Sequence, residues 1–274
     1  MRLNVFLQQA GVGSRREAER MVADGRIKVN GVVAAATVPV DDGDTVELDG
    51  KALSPSTRSQ PRLFLLHKPL DVLVTAFDKQ GRPTIYDLDA LKPPQWGPAM
   101  PRVIYVGRLD VNSEGLLVLS TDGPLAQTMM SPETALPRVY RVRVYGHLNE
   151  KQIEVLRRGV TVEGIRYRGV DVTEETEHTG RTNTWYKMTL TEGKNREIRK
   201  LFEYFNCVVN RLIRIQYGPF HLGTMKAGEV KEVPPGSVKR FMDELAERPV
   251  LISPVVANPR APHPSRQTRP VPRG

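Results

Sequence analysis

The first 50 residues switch from helical to strand-like spacing of apolar side chains. Helical spacing predicts a first helix that buries Leu3, Phe6, Leu7 and Ala10. The Ser-x-x-Glu pattern of residues 14–17 is a capping box that begins a second helix, which Gly25 ends. Residues 26–29 then alternate as a strand before Asn30-Gly31, a strong hairpin signal. The pattern predicts a small mixed unit over residues 1–50.

Residues 62–245 combine short apolar or alternating runs with segments of helical spacing. Strands are predicted at residues 62–66, 103–106, 116–119, 137–144 and 185–191. Helices are predicted at residues 125–130 and 149–158, and from the apolar face of Ile198, Leu201, Phe202 and Phe205. Antiparallel strands with intervening helices predict an α+β fold and not a doubly wound parallel sheet.

Two other segments lack the apolar side chains that a folded core needs. Residues 51–61, KALSPSTRSQP, are rich in Ser and Pro and are predicted to link the two units. Residues 253–274 contain six Pro, four Arg and no acidic residue. Such a segment buries too little apolar surface to offset the entropy of ordering, so a disordered basic tail is predicted.

Composition narrows the class of partner. The chain has 274 residues and a formal charge of +9, and its pI of about 9.7 favours an anionic partner, either nucleic acid or a membrane surface. No apolar run approaches the roughly 20 residues that span a bilayer, and residues 1–13 are too weakly apolar for a signal peptide, so we predict a cytoplasmic protein. The single cysteine, Cys207, excludes an internal disulfide, and the five scattered histidines predict no metal site.

Asp110 lies on a short charged loop between the apolar runs at residues 103–106 and 116–119. Strands that flank a loop fix its position and leave its side chains open to a substrate. Taken alone, one Asp after a strand is more often a turn former or a cap than a nucleophile. The surrounding string GRLDVNSEGLLVLSTDG, residues 107–123, resembles the signature of RNA pseudouridine synthases that act on ribosomal RNA. That resemblance implies that Asp110 is the nucleophile.

Tyr140 lies on the apolar face of the strand predicted at residues 137–144, together with Val142 and Val144. This spacing alone fits an ordinary core tyrosine. In the family that the chain resembles, a catalytic Tyr heads the corresponding strand, and Tyr140 matches it. The resemblance implies that Tyr140 stacks on the target base, with removal of the C5 proton as a second role.

The string EGKNREIRKLF, residues 192–202, leads into the helix predicted from Ile198. At 100° per residue, Arg199 lies at the border of the apolar face, whereas Arg196 and Lys200 point away from it. A half-shielded arginine can hold a carboxylate through a bidentate pair, although an ordinary surface arginine has the same spacing. The string resembles another motif of the family, which implies that Arg199 pairs with Asp110 and keeps it ionised and oriented.

Other residues match family positions that contact RNA. Leu212, in the strand RLIRI, corresponds to an apolar side chain beneath the target base, and a plain core leucine is the alternative. Arg108 is assigned either to the space that a flipped-out uridine vacates or to a flanking phosphate. Phosphate contacts are predicted for Lys194, Arg196 and Lys200.

The amino-terminal strings SRREAERMVADGRIKVNG and DDGDTVEL resemble the S4 RNA-binding domain. The resemblance implies an RNA-facing surface formed by Arg15, Arg16, Arg20, Arg26 and Lys28. A solvated helix face is the alternative explanation of these charges. Because residues 1–50 carry six Lys or Arg against eight Asp or Glu, RNA affinity in this unit must come from a local patch.

Together these matches imply an enzyme that isomerises a uridine of ribosomal RNA to pseudouridine without cofactor or metal. Its expected partner is ribosomal RNA or a pre-ribosomal particle, and we predict a monomer. The segment GRPTIYDL, residues 81–88, is typical of the B-type large-subunit enzymes of the family, whereas Asp71 replaces a glycine of most members and leaves that turn's geometry open. Three alternatives remain: a small-subunit target, a non-catalytic S4-type assembly factor, and an aminoacyl-tRNA synthetase fragment.

Overall fold

The computed structural model describes residues 2–10, 12, 15–35, 38–41, 43–53, 60–92, 102–175 and 183–247. Most of the predicted linker lies outside these residues, as does the whole predicted tail. The predicted capping box is described only from its second residue, Arg15. All structural statements below concern the described residues.

The amino-terminal unit packs two helices on a small sheet. The helices are α1 (Leu3–Gln9) and α2 (Arg15–Ala23), and the strands are β1 (Ile27–Val29), β2 (Val32–Val33), β3 (Val46–Leu48) and β4 (Lys51–Leu53). The sheet order is β2-β1-β3-β4, and Leu7 and Ile27 belong to its buried core. Asn30 (φ 51°) and Gly31 (φ 78°) form the predicted hairpin turn with both residues in the left-handed region.

Strand β4 corrects the predicted start of the linker. Polar composition assigned Lys51–Leu53 to the linker, but these residues pair with β3 in antiparallel register. Asp49 (φ 51°) and Gly50 (φ 80°) form a second two-residue turn, which returns the chain onto β3. An edge strand tolerates polar and charged side chains because one of its sides is unpaired. The amino-terminal unit therefore extends to Leu53.

The larger unit is built on a mixed sheet. Its strands are β5 (Leu63–Lys68), β6 (Ile104–Val106), β7 (Glu114–Ser120), β8 (Arg138–Tyr145), β9 (Thr161–Val162), β10 (Ile165–Arg166), β11 (Asp171–Glu174), β12 (Asn183–Leu190), β13 (Val208–Tyr217), β14 (Phe220–His221) and β15 (Val230–Glu232). The main order is β11-β12-β8-β13-β7-β5-β15, while β6 pairs with β7, β14 with β13, and β10 with β9. The pair β7–β13 is parallel, whereas β8 pairs antiparallel with both β12 and β13. The predicted α+β class is confirmed.

Helices cover different halves of this sheet. They are α3 (Gly123–Met130), α4 (Glu150–Arg158), α5 (Glu197–Glu203) and α6 (Pro235–Ala246), and short 3₁₀ turns occupy Ile85–Asp87, Asp89–Leu91 and Pro132–Thr134. Leu156 of α4 and Ile198 of α5 share one core with residues of β8, β12 and β13. Met129 of α3 and Phe241 of α6 share another with residues of β5, β6 and β7. The cavity described below is lined by residues from both halves.

Strand β7 is buried along its whole length. Leu116 and Val118 face the core beneath α3 and α6, whereas Leu117 and Leu119 belong to the core that contains Ile85. A strand covered on both faces has a continuous apolar sequence, which explains the run at residues 116–119. The loop that carries Asp110 therefore leads into one of the most rigidly packed strands of the sheet.

Gly115 allows β7 and β13 to approach closely. It has φ +108° and pairs with Arg214 in parallel register. A Cβ at this position would lie 2.3 Å from the carbonyl oxygen of Arg214. Both the backbone conformation and this contact exclude a side chain, so the close pairing of the two strands at this position requires glycine.

We expect Gly115→Ala to lower the free energy of unfolding by about 3 kcal/mol or more, because the methyl group forces β7 and β13 apart. Gly223→Ala is the matched control, since Gly223 has φ +55° but no heavy atom within 4 Å of an added Cβ. Its expected cost is about 1 kcal/mol. Urea unfolding measures both losses, and equal losses would show that the contact with Arg214 is unimportant.

Candidate active site

Asp110 lies on the loop between β6 and β7, where the sequence predicts it. Its side chain is 36% exposed and lines a cavity of about 530 Å³. The Ser113 N–H donates to the Asp110 carbonyl oxygen at 3.0 Å, which closes a turn just before β7. The carboxylate is therefore held by an ordered backbone and is accessible from the cavity.

Lys68 anchors this loop to the end of β5. The side chain is fully buried, and its Nζ donates to the carbonyl oxygen of Ser113 at 2.8 Å. Burial lowers the pKa of Lys68 to about 8, and the charges of Asp71, Asp110 and Glu114 oppose that shift. The buried lysine thus links the loop of Asp110 to the neighbouring strand.

Asp71 forms a turn beside the same loop. Its φ of 60° lies in the left-handed region that glycine adopts most easily. Its N–H donates to the carbonyl oxygen of Val111 at 2.9 Å. Asp is among the residues that tolerate this conformation, so the turn is formed although the usual glycine of the family is absent.

Two arginines lie beside Asp110. Arg196 Nη1 is 3.8 Å from Asp110 Oδ2. Arg199 is half-buried, and its Nη1 and Nη2 donate to the carbonyl oxygens of Val209 and Asn112, each at 2.9 Å. Burial and the charge of Arg196 lower the pKa of the Arg199 guanidinium, whereas the charge of Asp110 raises it.

This arrangement differs from the sequence prediction, which paired Arg199 with Asp110 and turned Arg196 away. The prediction applied helical periodicity to Arg196, but α5 begins only at Glu197. Arg196 precedes the helix and has left-handed backbone angles (φ 50°, ψ 31°), so the 100° rule does not apply to it. Arg196 makes the direct ion pair with Asp110, while Arg199 holds the Asp110 loop through Asn112.

Tyr140 and Leu212 both line the cavity. Tyr140 is half-buried on β8 and packs on the same core as the buried Val142 and Val144, as its spacing predicts. Leu212 is 6% exposed and lies opposite Val142 on β13. A flat surface of aromatic and apolar side chains suits the stacking of an extruded base.

The predicted phosphate contacts are only partly brought together. The cavity is also lined by Arg108, Lys194 and Arg196. Lys194 Nζ forms an ion pair with Glu192 and lies 5.5 Å from the ring centre of Tyr167. Lys200 does not line the cavity, and its Nζ lies 3.1 Å from Glu163 Oε2. A phosphate contact by Lys200 would therefore lie outside this cavity.

The amino-terminal unit carries the basic residues predicted to face RNA. Arg20 and Lys28 are exposed. Arg26 makes two hydrogen bonds to the carboxylate of Asp49, so part of its charge is neutralised within the unit. The side chains of Arg15 and Arg16 lie outside the described part of the chain. An RNA-facing patch on this unit stays a prediction.

Sequence reasoning missed several buried polar residues that line or support the cavity, among them Lys68, Arg138, Glu197 and Arg214. Three of them stand on strands beside apolar residues, whereas Glu197 begins a helix after a charged stretch. Their burial depends on partners that are distant in sequence. The unusual position of a charge on an otherwise apolar strand face was the signal available.

Glu197, the first residue of α5, is 4% exposed. Its Oε2 accepts a hydrogen bond from the Lys194 N–H at 2.9 Å. Burial raises the pKa of Glu197 to about 7, and the nearby Glu192 carboxylate acts in the same direction. Burial also opposes the ionisation of Glu192, but the charge of Lys194 holds the pKa of Glu192 below its usual value.

Glu197 makes stability depend on pH. Between its ordinary pKa of 4.5 and about 7, the folded protein keeps a proton that the unfolded chain has released. The contribution of Glu197 is therefore complete below pH 4.5 and is lost as pH rises through 7. The wild type loses this stability as pH rises, but glutamine does not titrate. We therefore expect the unfolding free energy of Glu197→Gln, relative to that of the wild type, to increase by about 3 kcal/mol between these two pH values.

Urea unfolding between pH 4 and pH 8, at roughly one-unit steps, measures this gain. Glu203→Gln, on the exposed side of α5, is the control and is expected to change stability by less than about 0.5 kcal/mol throughout. If the difference between Glu197→Gln and the wild type stays constant with pH, the buried carboxyl does not hold the proton.

Three further observations concern membranes, metals and thiols. No helix of the described residues has both the length and the apolar composition needed to cross a bilayer. Within the same residues, no group of three or more His, Cys, Asp or Glu is arranged to hold a metal ion. Cys207 is buried, and burial raises the pKa of its thiol, so it packs as a small apolar side chain.

Two family models match this chain, and each match falls within one of its two structural units. The model described as RNA pseudouridylate synthase matches residues 62–204. The model of the S4 domain matches residues 1–46. The first range contains Asp110, Tyr140 and Arg199, and the second contains the basic residues of the amino-terminal unit.

Similar proteins extend over most of the chain. An uncharacterised RNA pseudouridine synthase of Rickettsia typhi is 36% identical over 242 residues, which is 88% of this chain and 95% of that protein. A ribosomal large subunit pseudouridine synthase B of Xanthomonas axonopodis pv. citri is 39% identical over 277 residues, covering 95% of this chain. The chain spans 48% of the length of that second relative.

A solved structure is similar in fold. A crystal structure of a pseudouridylate synthase, 21% identical, aligns with a TM-score of 0.58 and covers 88% of this chain and 99% of its own. The strings at residues 107–123 and 192–202 suggested the same family before any fold was known, and that inference is confirmed. The chain belongs to the RNA pseudouridine synthase family and carries an S4 domain at its amino-terminal end.

Proposed function

We propose that this protein isomerises one uridine of large-subunit ribosomal RNA to pseudouridine. The observation that carries the proposal is the convergence of Asp110, Tyr140 and Arg199 on one cavity of about 530 Å³. A cavity of this size is in the range that small ligands occupy. The names of the synthase B relatives and the segment at residues 81–88 support the large-subunit target.

In the proposed reaction, the uridine leaves its helix or loop and enters the cavity, where Tyr140 and Leu212 contact the base. Asp110 acts as nucleophile, either at the ribose C1′ or at the uracil ring. The N1–C1′ bond breaks, the uracil rotates, and C5 bonds to C1′. The bond that Asp110 formed breaks again, either as C5 displaces the carboxylate from C1′ or as the carboxylate leaves the uracil ring, so the free carboxylate is restored. C5 loses a proton, for which Tyr140 is the proposed base, and N1 gains one. The atoms balance without a cofactor, a metal or a redox partner.

The cations around Asp110 take different parts in this scheme. Arg196 places positive charge 3.8 Å from the carboxylate. Arg199 orients the Asp110 loop, because its guanidinium holds the carbonyl oxygen of Asn112. Arg108 is exposed at the cavity, where it can fill the space that the uridine vacates or bind a flanking phosphate.

The S4 domain contributes RNA affinity in this proposal. Arg20 and Lys28 are exposed cations on it, and contacts of such side chains with phosphates position an RNA without reading its sequence. We place the protein in the cytoplasm as a monomer, acting on ribosomal RNA or on a pre-ribosomal particle. A ribosomal RNA substrate requires that location in a bacterium.

Mapping pseudouridines in ribosomal RNA from cells with and without this protein tests the function and identifies the target. We expect one large-subunit site to lose its pseudouridine in the deletion strain and to regain it when the gene is restored. If a small-subunit site loses its pseudouridine instead, the proposed reaction stands but the proposed large-subunit target is wrong. Loss of no site would contradict the proposal and favour a non-catalytic S4-type assembly factor.

A further inference from the structure

Two buried arginines line the cavity away from any acidic partner. Arg138 is 8% exposed and Arg214 is 2% exposed, and both line the cavity. No ion pair within the described residues includes either guanidinium. Burying a charge without a partner is costly, so an arrangement with two such charges needs an explanation.

Arg214 also has hydrogen-bonding capacity that the protein leaves unused. Its Nε donates to the carbonyl oxygen of Leu116 at 2.7 Å, but its Nη2 is buried without a partner among the described residues. Arg138 donates to Thr191 and to the hydroxyl of Tyr217. Both guanidiniums lie over the Tyr217 ring, 5.0 Å and 5.1 Å from its centre. Both cations are therefore in contact with the same aromatic side chain.

The three carboxyl groups that line the cavity do not balance this charge. Burial raises the pKa of Glu197 to about 7 and disfavours its charged form, and the other two have cationic partners of their own. Asp110 lies beside Arg196, and Glu192 pairs with Lys194. A molecule that enters the cavity can therefore supply the acceptor atoms that the described residues do not offer to Arg214.

The strand register indicates which part of that molecule Arg214 meets. Arg214 on β13 lies directly opposite Tyr140 on β8. Directly opposed residues of antiparallel strands project from the same face, with Cβ atoms about 5 Å apart. If the target uracil stacks on Tyr140, its edge lies beside the Arg214 guanidinium. A phosphate of the RNA backbone stays nearer the exposed rim, where Arg108 lies.

The proposed reaction generates negative charge on that same base. When the N1–C1′ bond breaks, its electron pair stays with the uracil and is delocalised onto O2 and O4. The charge disappears when C5 bonds to C1′, C5 loses its proton and N1 gains one. Donors placed where charge develops stabilise a transition state most in a site that excludes water.

We propose that Arg214 donates a hydrogen bond to O2 or O4 of the target uracil and stabilises the uracil anion, with Arg138 adding positive charge beside it. This inference rests on the proposed function. It adds a catalytic residue on β13, two positions after Leu212.

Thio-substituted RNA tests the contact directly. Single-turnover rates are measured with excess protein on transcripts that carry uridine, 2-thiouridine or 4-thiouridine at the mapped position, for the wild type and for Arg214→Met. We expect Arg214→Met to slow the uridine reaction on the order of 100-fold with unchanged RNA affinity. Sulfur accepts hydrogen bonds weakly. At one of the two positions, the factor by which sulfur changes the rate should therefore differ between the wild type and the variant by about fivefold or more.

The inference is overturned if the two effects are additive. In that outcome, sulfur at O2 and sulfur at O4 each change the single-turnover rate by the same factor in the wild type and in the Arg214 variant. Arg143→Lys is the matched control. Arg143 lies three residues from Tyr140 on the opposite face of β8, bonded to Asn210, and the variant should keep the wild-type rate. Thermal unfolding confirms that each variant folds, and Arg214→Lys replaces Arg214→Met if the latter does not.

If neither Arg214 variant folds, the wild type alone decides. Equal or higher rates with both thiouridines would overturn the inference, and a lower rate at one position would support it. Failure of the proposed function is distinguishable, because the wild type would then form no pseudouridine in the unmodified transcript. An active wild type with additive effects contradicts only the role of Arg214.

Discussion

Asp110→Asn is expected to lower the single-turnover rate of pseudouridine formation by about 10⁴-fold or more, because an amide cannot replace a carboxylate nucleophile. The substitution keeps the size of the side chain. The loop is held by the Ser113 N–H and by Lys68, and neither hydrogen bond uses the Asp110 side chain. We therefore expect the loop, the thermal stability and the RNA affinity to be unchanged. The rate is measured with excess protein on a transcript that contains the mapped uridine.

The matched control for this experiment is Asp89→Asn. Asp89 is 95% exposed, its side chain forms an ion pair with the nearby Lys92, and it is not among the described residues that line the cavity. It should keep the wild-type rate. In a deletion strain, Asp110→Asn supplied alone should leave the target uridine unmodified. Restored pseudouridine would contradict the role of Asp110 and would favour the reading of this protein as an assembly factor.

Much of the site could be predicted from local sequence, because strand patterns fix the direction of their neighbours. The apolar run at residues 116–119 predicted a strand, and the alternation at residues 137–144 predicted which face holds Tyr140. Asp110 then had to lie on the loop before the first of these strands. The motif strings added the roles, since no pattern of burial distinguishes a nucleophile from a capping residue.

What could not be predicted depends on features that local spacing does not determine. Arg196 was misplaced because one left-handed residue moved the start of α5 to Glu197. Lys51–Leu53 were misplaced because a two-residue turn paired a polar segment with β3. Arg214 was overlooked because its burial requires the pairing of β13 with β7, whose residue Leu116 lies 98 positions earlier. The first case is a local backbone conformation, and the other two are strand pairings that composition does not reveal.

Distance and burial disagree on which of the two arginines beside Asp110 matters more for the reaction. Distance favours Arg196, whereas burial favours Arg199. Arg196 is the closer, at 3.8 Å, but its side chain is 49% exposed. An exposed ion pair contributes about 1 kcal/mol at most, because water and salt screen it. Arg199 is half-buried and binds the carbonyl oxygens of Val209 and Asn112, and a hydrogen bond from a charged donor contributes about 1.5–3 kcal/mol. Burial and bonding geometry therefore outweigh distance.

We expect Arg199→Lys to lower the single-turnover rate about 10²-fold, and Arg196→Lys to lower it about fivefold or less. Lysine keeps the charge but cannot hold two carbonyl oxygens with a planar fork, so the first loss reports the position of the Asp110 loop. Thermal unfolding and RNA affinity, measured for both variants, separate this effect from general destabilisation. A larger loss for Arg196→Lys would make the screened ion pair at 3.8 Å the essential contact. The order of the two losses thus decides whether the nucleophile depends on a nearby charge or on an anchored loop.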